Sequence, residues 1–100
     1  MIQRVVAIKL KDAYSNPEDR AQVVTASREV LGAVPAVRAI EVGTPADFSA
    51  EKSWDVLLLL RFDDLEAVEV YRAHENHRRF MDVFLRPMLA MIKVWNFELR

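Results

Sequence analysis

The stretch Trp54–Phe62 is the feature that most constrains how this chain folds. It is the most hydrophobic strand-like run of the sequence, and both of its alternating sets of side chains are apolar. One set is Trp54, Val56, Leu58, Leu60 and Phe62, and the other includes Leu57 and Leu59. Successive side chains of a strand point to opposite faces of its sheet. Both faces of the sheet that contains this strand therefore need apolar cover.

Three further segments have the character of strands, so that four are predicted in all: Ile2–Lys11, Val37–Gly43, Trp54–Phe62 and Ile92–Leu99. The even positions of the first strand are Ile2, Arg4, Val6, Ile8 and Leu10, and they are expected to face the helices. Trp95, Phe97 and Leu99 share one face of the last strand.

Two helical regions separate these strands, and Gly43–Ser53 is predicted to be a loop. The first helix begins at Asn16 as the N-cap, with Pro17 at the first helical position, and runs to about Val34. Its apolar stripe is Val23, Val24, Ser27, Val30, Leu31 and Val34.

The second helix opens with Asp63 and Glu66 as a capping box. It carries Leu65, Val68, Tyr71 and His74 on one face. A further turn or short helix, with His77, Phe80, Met81, Phe84 and Met88 inward, ends near Pro87.

The element order is therefore β-α-β-β-α-β within one domain, residues 1–100. Short, right-handed connections fold such a chain into an α+β, ferredoxin-like arrangement, a four-stranded antiparallel sheet with both helices on one face. The opposite face would expose Val5, Ala7, Leu57, Leu59, Trp95 and Phe97. An apolar patch of that size marks an interaction site. We expect a homodimer in which two sheet faces pack together as a joint α+β barrel, with the helices outside.

The composition of the chain excludes several classes of partner and chemistry. The chain has 14 basic and 15 acidic side chains, a formal net charge of −1 and no cysteine. The chain has no excess of basic residues of the kind that indicates nucleic-acid binding. Because it has no cysteine, thiolate chemistry and zinc ribbons are excluded. Met1–Lys11 is typical of neither a signal peptide nor a membrane span, so we expect a cytoplasmic protein without a membrane partner.

The run Tyr71–Phe80 holds both histidines of the chain. Tyr71, His74 and His77 are spaced three residues apart, so on a continuous helix they share a face. A phenol and two imidazoles would then lie at the edge of an apolar surface. Because histidine titrates near physiological pH, proton chemistry is most plausible here.

Six parts of the chain together carry a family resemblance: residues 4–11, 34–37, 41–43 and 54–57, the run Tyr71-x-x-His74-x-x-His77-x-x-Phe80, and Pro87. Through them the chain resembles the stress-responsive A/B barrel (Dabb) family of the dimeric α+β barrel superfamily. The resemblance implies the dimeric barrel and a pocket between the concave sheet and the helices. In family members that act as polyketide cyclases, the histidine that matches His77 is the general acid/base and the tyrosine that matches Tyr71 binds the substrate. The resemblance implies the same roles for His77 and Tyr71.

The chain departs from the family pattern at three positions. Glu75 stands where proline is common, Arg4 where many members have histidine, and Ser27 where the cyclases have a tyrosine on the first helix.

Each candidate residue also has a structural interpretation. His77 is either a general base kept neutral by burial or a core histidine satisfied by a backbone hydrogen bond. His74 either contacts the ligand directly or, as the favoured interpretation, holds a kink by bonding a freed helix carbonyl. Tyr71 either bonds a substrate oxygen or is a core aromatic. Arg4 binds a carboxylate or enolate oxygen in the pocket, or pairs or snorkels at the strand end. Ser27 either lines the pocket or eases helix–sheet packing.

Phe80 and Phe84 are expected to wall the same pocket. His74 and His77 form an H-x-x-H pair, but no further ligand joins them in the sequence, so no metal and no cofactor is expected. The cluster Arg72, Arg78, Arg79 and Arg86 is interpreted as a solvated helix face.

Three functions remain open. The first is binding of a small, largely apolar molecule, with a role linked to stress response or metabolism. The second is a cofactor-independent cyclase or isomerase that uses His77 as general acid/base. The third is a dimerisation module with a collapsed pocket. An open cavity that reaches His77 would favour the first two.

Overall fold

The computed structural model describes all residues, Met1–Arg100, and its centre is one sheet of four strands. The strands are β1 (Ile2–Leu10), β2 (Ala39–Gly43), β3 (Val56–Phe62) and β4 (Leu89–Glu98). They lie in the order β2-β3-β1-β4, and every neighbouring pair is antiparallel. The predicted α+β ferredoxin-like fold is confirmed.

The register of the sheet fixes which residues face the helices. Arg4 lies opposite Leu60 on β3 and opposite Asn96 on β4. The next residue, Val5, lies opposite Leu59 and Trp95. Since successive side chains alternate between faces, the Arg4 row belongs to the helix side and the Val5 row to the other side.

The first helical region is α1 (Pro17–Ala26), which continues as a π-helical segment, Ser27–Leu31. As predicted, Asn16 is its N-cap, since its side-chain oxygen accepts from the Asp19 amide at 2.9 Å. The segment between β2 and β3, predicted to be a loop, holds the short helix α2 (Phe48–Glu51). The Asp47 side chain caps it by accepting from the Ser49 amide, which places a helix N-terminus inside the predicted loop.

The second helical region is broken at His74. It consists of α3 (Leu65–Ala73), α4 (Glu75–Arg79), a π-helical segment Phe80–Leu85 and a 3₁₀ turn Arg86–Met88. The N-cap of α3 is Asp64, which accepts from the Ala67 amide at 2.8 Å, so the predicted cap at Asp63 is wrong. Asp63 instead forms a bidentate ion pair with Arg38.

The starts of three strands also differ from the prediction. β2 begins at Ala39 because the Val37 amide is taken by a turn, donating to the Val34 carbonyl. β3 begins at Val56 because the Trp54 amide closes α2 by bonding Ala50. β4 begins at Leu89, directly after the 3₁₀ turn.

The core lies between the sheet and the helices. Its fully buried side chains include Ile8, Leu10, Leu31, Leu58, Leu60, Phe62, Phe80 and Leu85. The predicted helix-facing set of β1 is confirmed, since all five residues are buried, Arg4 included. On α3, Val68 and Tyr71 are buried, whereas Leu65 at its first turn is exposed.

The other face of the sheet has no cover. Leu57, Trp95 and Phe97 are 39%, 45% and 55% exposed, as the alternation predicts. Ala7, expected on this face, is buried, and it lies between the longer side chains Leu57 and Lys93 of the neighbouring strands. No helix in the structure combines the length and the apolar character needed to cross a bilayer.

One buried carboxylate joins the elements at the start of β3. Asp55 is fully buried and accepts from the Leu10 amide at 2.7 Å, the Ser15 hydroxyl at 2.6 Å and Arg20 Nε at 2.9 Å. Burial opposes ionisation, but these bonds outweigh it, so the pKa of Asp55 is lowered. Since it ties β1, α1 and β3 together, Asp55 is a structural group.

Candidate functional site

A cavity of about 180 Å³ lies between the sheet and the second helical region. Its lining is mostly apolar: Val6, Ile8, Leu31, Leu58, Tyr71, Phe80, Met81, Ile92 and Val94, together with the charged or polar Arg4, Arg72 and His77. An engineered cavity of about 150 Å³ in another protein accepts benzene. The space is thus suited to a molecule about the size of one substituted ring.

Arg4 enters this cavity from the middle of the sheet. It is only 8% exposed, and its Nη1 donates to Asn96 Oδ1 on the neighbouring strand at 3.0 Å. Its buried Nε–H has no hydrogen-bond partner. Burial lowers the pKa of Arg4, but an arginine keeps its charge in proteins. The cavity wall therefore holds a cation without a counter-ion.

Tyr71 lies in the last turn of α3 and is 2% exposed. Its ring packs against Phe62 at 5.1 Å and against the His77 ring at 4.7 Å between centroids. Burial raises the pKa of Tyr71 to about 12, although the charge of Arg4 acts in the opposite direction. The hydroxyl is therefore neutral and able to donate a hydrogen bond at physiological pH.

His77 lies on α4 and is half-buried at the cavity wall. Its Nδ1 is 3.1 Å from the carbonyl oxygen of Arg72. A carbonyl only accepts, so Nδ1 carries the proton and Nε2 of the neutral ring keeps its lone pair. Burial lowers the pKa of His77, the bond to Arg72 acts against this, and the charges of Arg4 and Arg72 lower it further. The ring is suited to accept a proton at Nε2 near neutral pH.

His74 does not line the cavity. It adopts an extended backbone conformation between α3 and α4, and its Nδ1 accepts from the Asn76 amide at 3.0 Å. The predicted kink is present, but the predicted bond to a helix carbonyl is wrong. An extended residue before a helix places its side chain over the free amides of the first turn, where it acts as an N-cap.

Of the two expected aromatic walls, Phe80 lines the cavity and Phe84 does not. Phe84 packs on Phe80 at 5.4 Å between centroids and faces a shallow apolar groove on the outer helix surface. A π-helical segment has i→i+5 hydrogen bonds in place of i→i+4, so its turn is wider and its buried face shifts along the chain. Leu85, five residues after Phe80, therefore takes the buried position that a regular helix would give to Phe84.

Ser27 is fully buried but outside the cavity. Its hydroxyl donates to the Val23 carbonyl one turn back, at 2.6 Å. The structure thus brings Arg4, Tyr71, His77 and Phe80 together, and it separates Ser27, His74 and Phe84 from them.

Two further residues that were not predicted as site residues contribute to the site, since Arg72 lines the cavity and Asn96 contacts Arg4. Asn96 shares the inward alternation of Ile92 and Val94 on β4, and this alternation was the available signal. Arg72 is exposed on the helix face, as interpreted, yet it also lines the cavity mouth and its carbonyl holds His77. No group of three histidine or carboxylate side chains converges as metal ligands, and no lining residue is acidic.

The fold and the cavity together define a ferredoxin-like α+β protein with a pocket between its sheet and its helices. Within that class, the chain belongs to the family described as the Stress responsive A/B Barrel Domain (Dabb), which matches residues 2–99. The predicted family is confirmed.

Solved structures share this fold. A protein from Arabidopsis thaliana matches with a TM-score of 0.84 and 20% identity over 100% of this chain and 96% of that one. A dimeric ferredoxin-like protein of unknown function from Thermobifida fusca matches with 0.83 and 23% identity over 98% and 90%. A Dabb family protein from Mesorhizobium loti matches with 0.82 and 18% identity over 99% and 96%. No curated protein sequence matches.

Proposed function

We propose that this protein is a homodimer that binds one small, largely apolar molecule per subunit in the cavity between sheet and helices. The cavity itself carries the proposal. Nine of its twelve lining residues are hydrophobic, and its polar groups are confined to Arg4, Arg72, His77 and the Tyr71 hydroxyl. A mostly apolar pocket with a few converging polar groups is the usual form of a small-molecule site.

The dimer is supported by the uncovered sheet face. Leu57, Trp95 and Phe97 are exposed large apolar side chains on this face, and they lie on strands that are otherwise well paired. Two such faces packed together would remove them from water, and the dimeric relative from Thermobifida fusca has the same fold. The family's description as stress responsive supports a role in stress, and a cytoplasmic site of action is part of the same proposal.

A second candidate function is a cofactor-independent cyclase or isomerase, favoured by the state of His77. Its Nδ1–H is held by Arg72, which leaves Nε2 as the base on a ring that lines the cavity. Nε2 would take a proton from the carbon next to a substrate carbonyl, and the C–H electron pair would become the enolate. Tyr71 and Arg4 would stabilise the enolate oxygen by donating hydrogen bonds.

Native mass spectrometry of the freshly purified protein tests the binding proposal. The expected result is twice the chain mass plus a small-molecule adduct, and the adduct is then identified. A monomer would refute the sheet-to-sheet dimer. A dimer that takes up no aromatic probe, such as toluene, in a titration followed by amide chemical shifts would refute the pocket.

Substitution of His77 separates the two functions once a ligand is known. His77→Ala is expected to keep ligand binding within a few-fold if the protein is a binder. If it is an enzyme, turnover is expected to fall by about a hundredfold or more while binding remains, since a positioned acid/base contributes that much.

A further inference from the structure

The unpaired edge of Arg4 indicates which chemical class of molecule the cavity takes. We propose that the ligand is a small organic carboxylate, seated with its two oxygens on the Nε–H and Nη2–H of Arg4 and with its apolar body against Phe80 and Met81. This inference rests on the proposed function, because it names the ligand of the same cavity.

The first observation is the state of Arg4 itself. Its side chain makes a single hydrogen bond, from Nη1 to Asn96, and its Nε–H is buried without an acceptor. A buried donor left unpaired costs roughly 1–3 kcal/mol. Most buried polar groups in proteins have partners, so this one needs an explanation. An acceptor brought by a ligand supplies one.

The second observation is the geometry of the free edge. In a guanidinium group, Nε–H and one Nη2–H point in the same direction and match the spacing of two carboxylate oxygens. The chain shows this arrangement elsewhere: Arg38 holds both oxygens of Asp63 from Nε at 3.0 Å and Nη2 at 2.7 Å. In Arg4 the same edge is left over, because Asn96 occupies only Nη1.

The third observation is the charge of the wall. Arg4 and Arg72 line the cavity, and no aspartate or glutamate does. Glu69 on α3 is the acidic residue whose charge acts on Arg4, but its carboxylate is paired with Arg72 at 3.1 Å. A cationic ligand would meet two positive charges and no negative one. A neutral ligand would leave the Arg4 charge without compensation in a largely apolar space.

Asn96 acts as a positioning residue in this arrangement. It lies directly opposite Arg4 across the β1–β4 pair, and its amide oxygen fixes the rotation of the guanidinium. With Nη1 held in this way, the Nε edge has one orientation. Fixing a donor pair before binding reduces the entropy that a ligand would otherwise lose.

Benzoate and benzamide are the matched probes, since they share one ring and differ in charge. Each is titrated into the full-length protein and followed by amide chemical shifts, with toluene as a neutral apolar reference. Arg4→Gln removes the charge and Arg4→Lys keeps it without the fork. Arg38→Gln is the matched control, because it removes an arginine outside the cavity.

Benzoate is expected to bind the native protein at least tenfold more tightly than benzamide. Arg4→Gln should lower benzoate affinity by about tenfold to a hundredfold, the range for a charge-assisted hydrogen bond, and leave toluene affinity within twofold. The benzoate affinity of Arg4→Lys should fall between those of the native protein and Arg4→Gln. Arg38→Gln should bind benzoate as tightly as the native protein. If Arg4→Gln fails to fold, Arg4→Lys and the benzoate-to-benzamide ratio of the native protein decide.

Three outcomes overturn the inference, and they differ in whether the pocket proposal falls with it. If toluene or benzamide binds as tightly as benzoate, the cavity is a binding site but its ligand is not an anion. If none of the three probes binds, the pocket proposal is refuted together with the inference. A benzoate affinity that is equal in native and Arg4→Gln protein also refutes the role of Arg4.

Discussion

His77 Nδ1 lies 3.1 Å from the carbonyl oxygen of Arg72, a group that a regular helix would have given to the Asn76 amide. That amide is instead taken by His74 Nδ1 at 3.0 Å. The two histidines are therefore linked through one backbone exchange. His74 captures the amide, the Arg72 carbonyl is freed, and the carbonyl sets the tautomer of His77. A residue outside the cavity thus determines which nitrogen of the cavity histidine is basic.

The first prediction concerns the link between the histidines. His74→Ala removes the cap of α4 and is expected to cost about 1 kcal/mol of stability, the usual value for an N-cap. The freed Asn76 amide can then bond Arg72, and His77 should lose its single Nδ1–H tautomer in nitrogen-detected NMR. His74→Asp, which restores a capping acceptor, should restore both. A His77 tautomer that is unchanged in His74→Ala would contradict the link.

The second prediction is a pH dependence of stability. Burial lowers the pKa of His77, so the folded state resists protonation more than the unfolded state does. The unfolded protein therefore binds more protons below the ordinary histidine pKa of 6.5, and the free energy of unfolding decreases as pH falls through 6.5 toward the folded pKa.

Urea unfolding of native protein and His77→Asn between neutral and mildly acidic pH measures this effect. Asparagine can keep a donor near the Arg72 carbonyl without titrating. The variant is expected to lose less stability than the native protein over that range. The charged groups facing His77, namely Arg4, Arg72 and Asp82, remain in both proteins and cancel in the comparison. Equal slopes would show that burial does not govern the protonation of His77.

The third prediction separates stability from binding at Arg4. Arg4→Met replaces a buried, partly unpaired cation with an apolar side chain of similar length, a change that is often neutral or stabilising in proteins. We expect the free energy of unfolding to rise by about 1 kcal/mol, the value of removing one unsatisfied donor. Binding of benzoate should be lost in the same variant. A destabilisation of about 2 kcal/mol or more would instead make Arg4 a structural group.

The sheet was predictable because its signal is local. Strands that alternate or are apolar on both faces identify themselves within a few residues, and Asn16-Pro17 identifies a helix start in the same way. The cap of α3 was not predictable from type alone, since Asp63 and Asp64 are adjacent and equally good caps. The structure selects Asp64 by giving it an extended backbone, φ −158° and ψ −179°, while Asp63 is drawn to Arg38.

The site was predictable only in part, because the second helical region does not keep the regular spacing of an α-helix. Tyr71 and His77 meet because the break at His74 keeps both rings at the cavity. The prediction for Phe84 was wrong because the segment that begins at Phe80 is π-helical. No residue pattern in the sequence indicated the change from i→i+4 to i→i+5 hydrogen bonds. The unpaired Nε of Arg4 depends on which acceptors surround it in space, which no linear pattern contains.

The last prediction tests the uncovered sheet face. Trp95 lies on β4 opposite Val5 and is 45% exposed in a single chain, so a dimer packed through this face would bury it. Trp95→Glu places a charge where water would be excluded, which is costly without a partner, and we expect sedimentation across a dilution series to show monomers. Val83→Glu is the matched control, because Val83 is 70% exposed on the outer helix surface and should leave the dimer intact. A Trp95→Glu protein that sediments as the native dimer would place the interface on another surface.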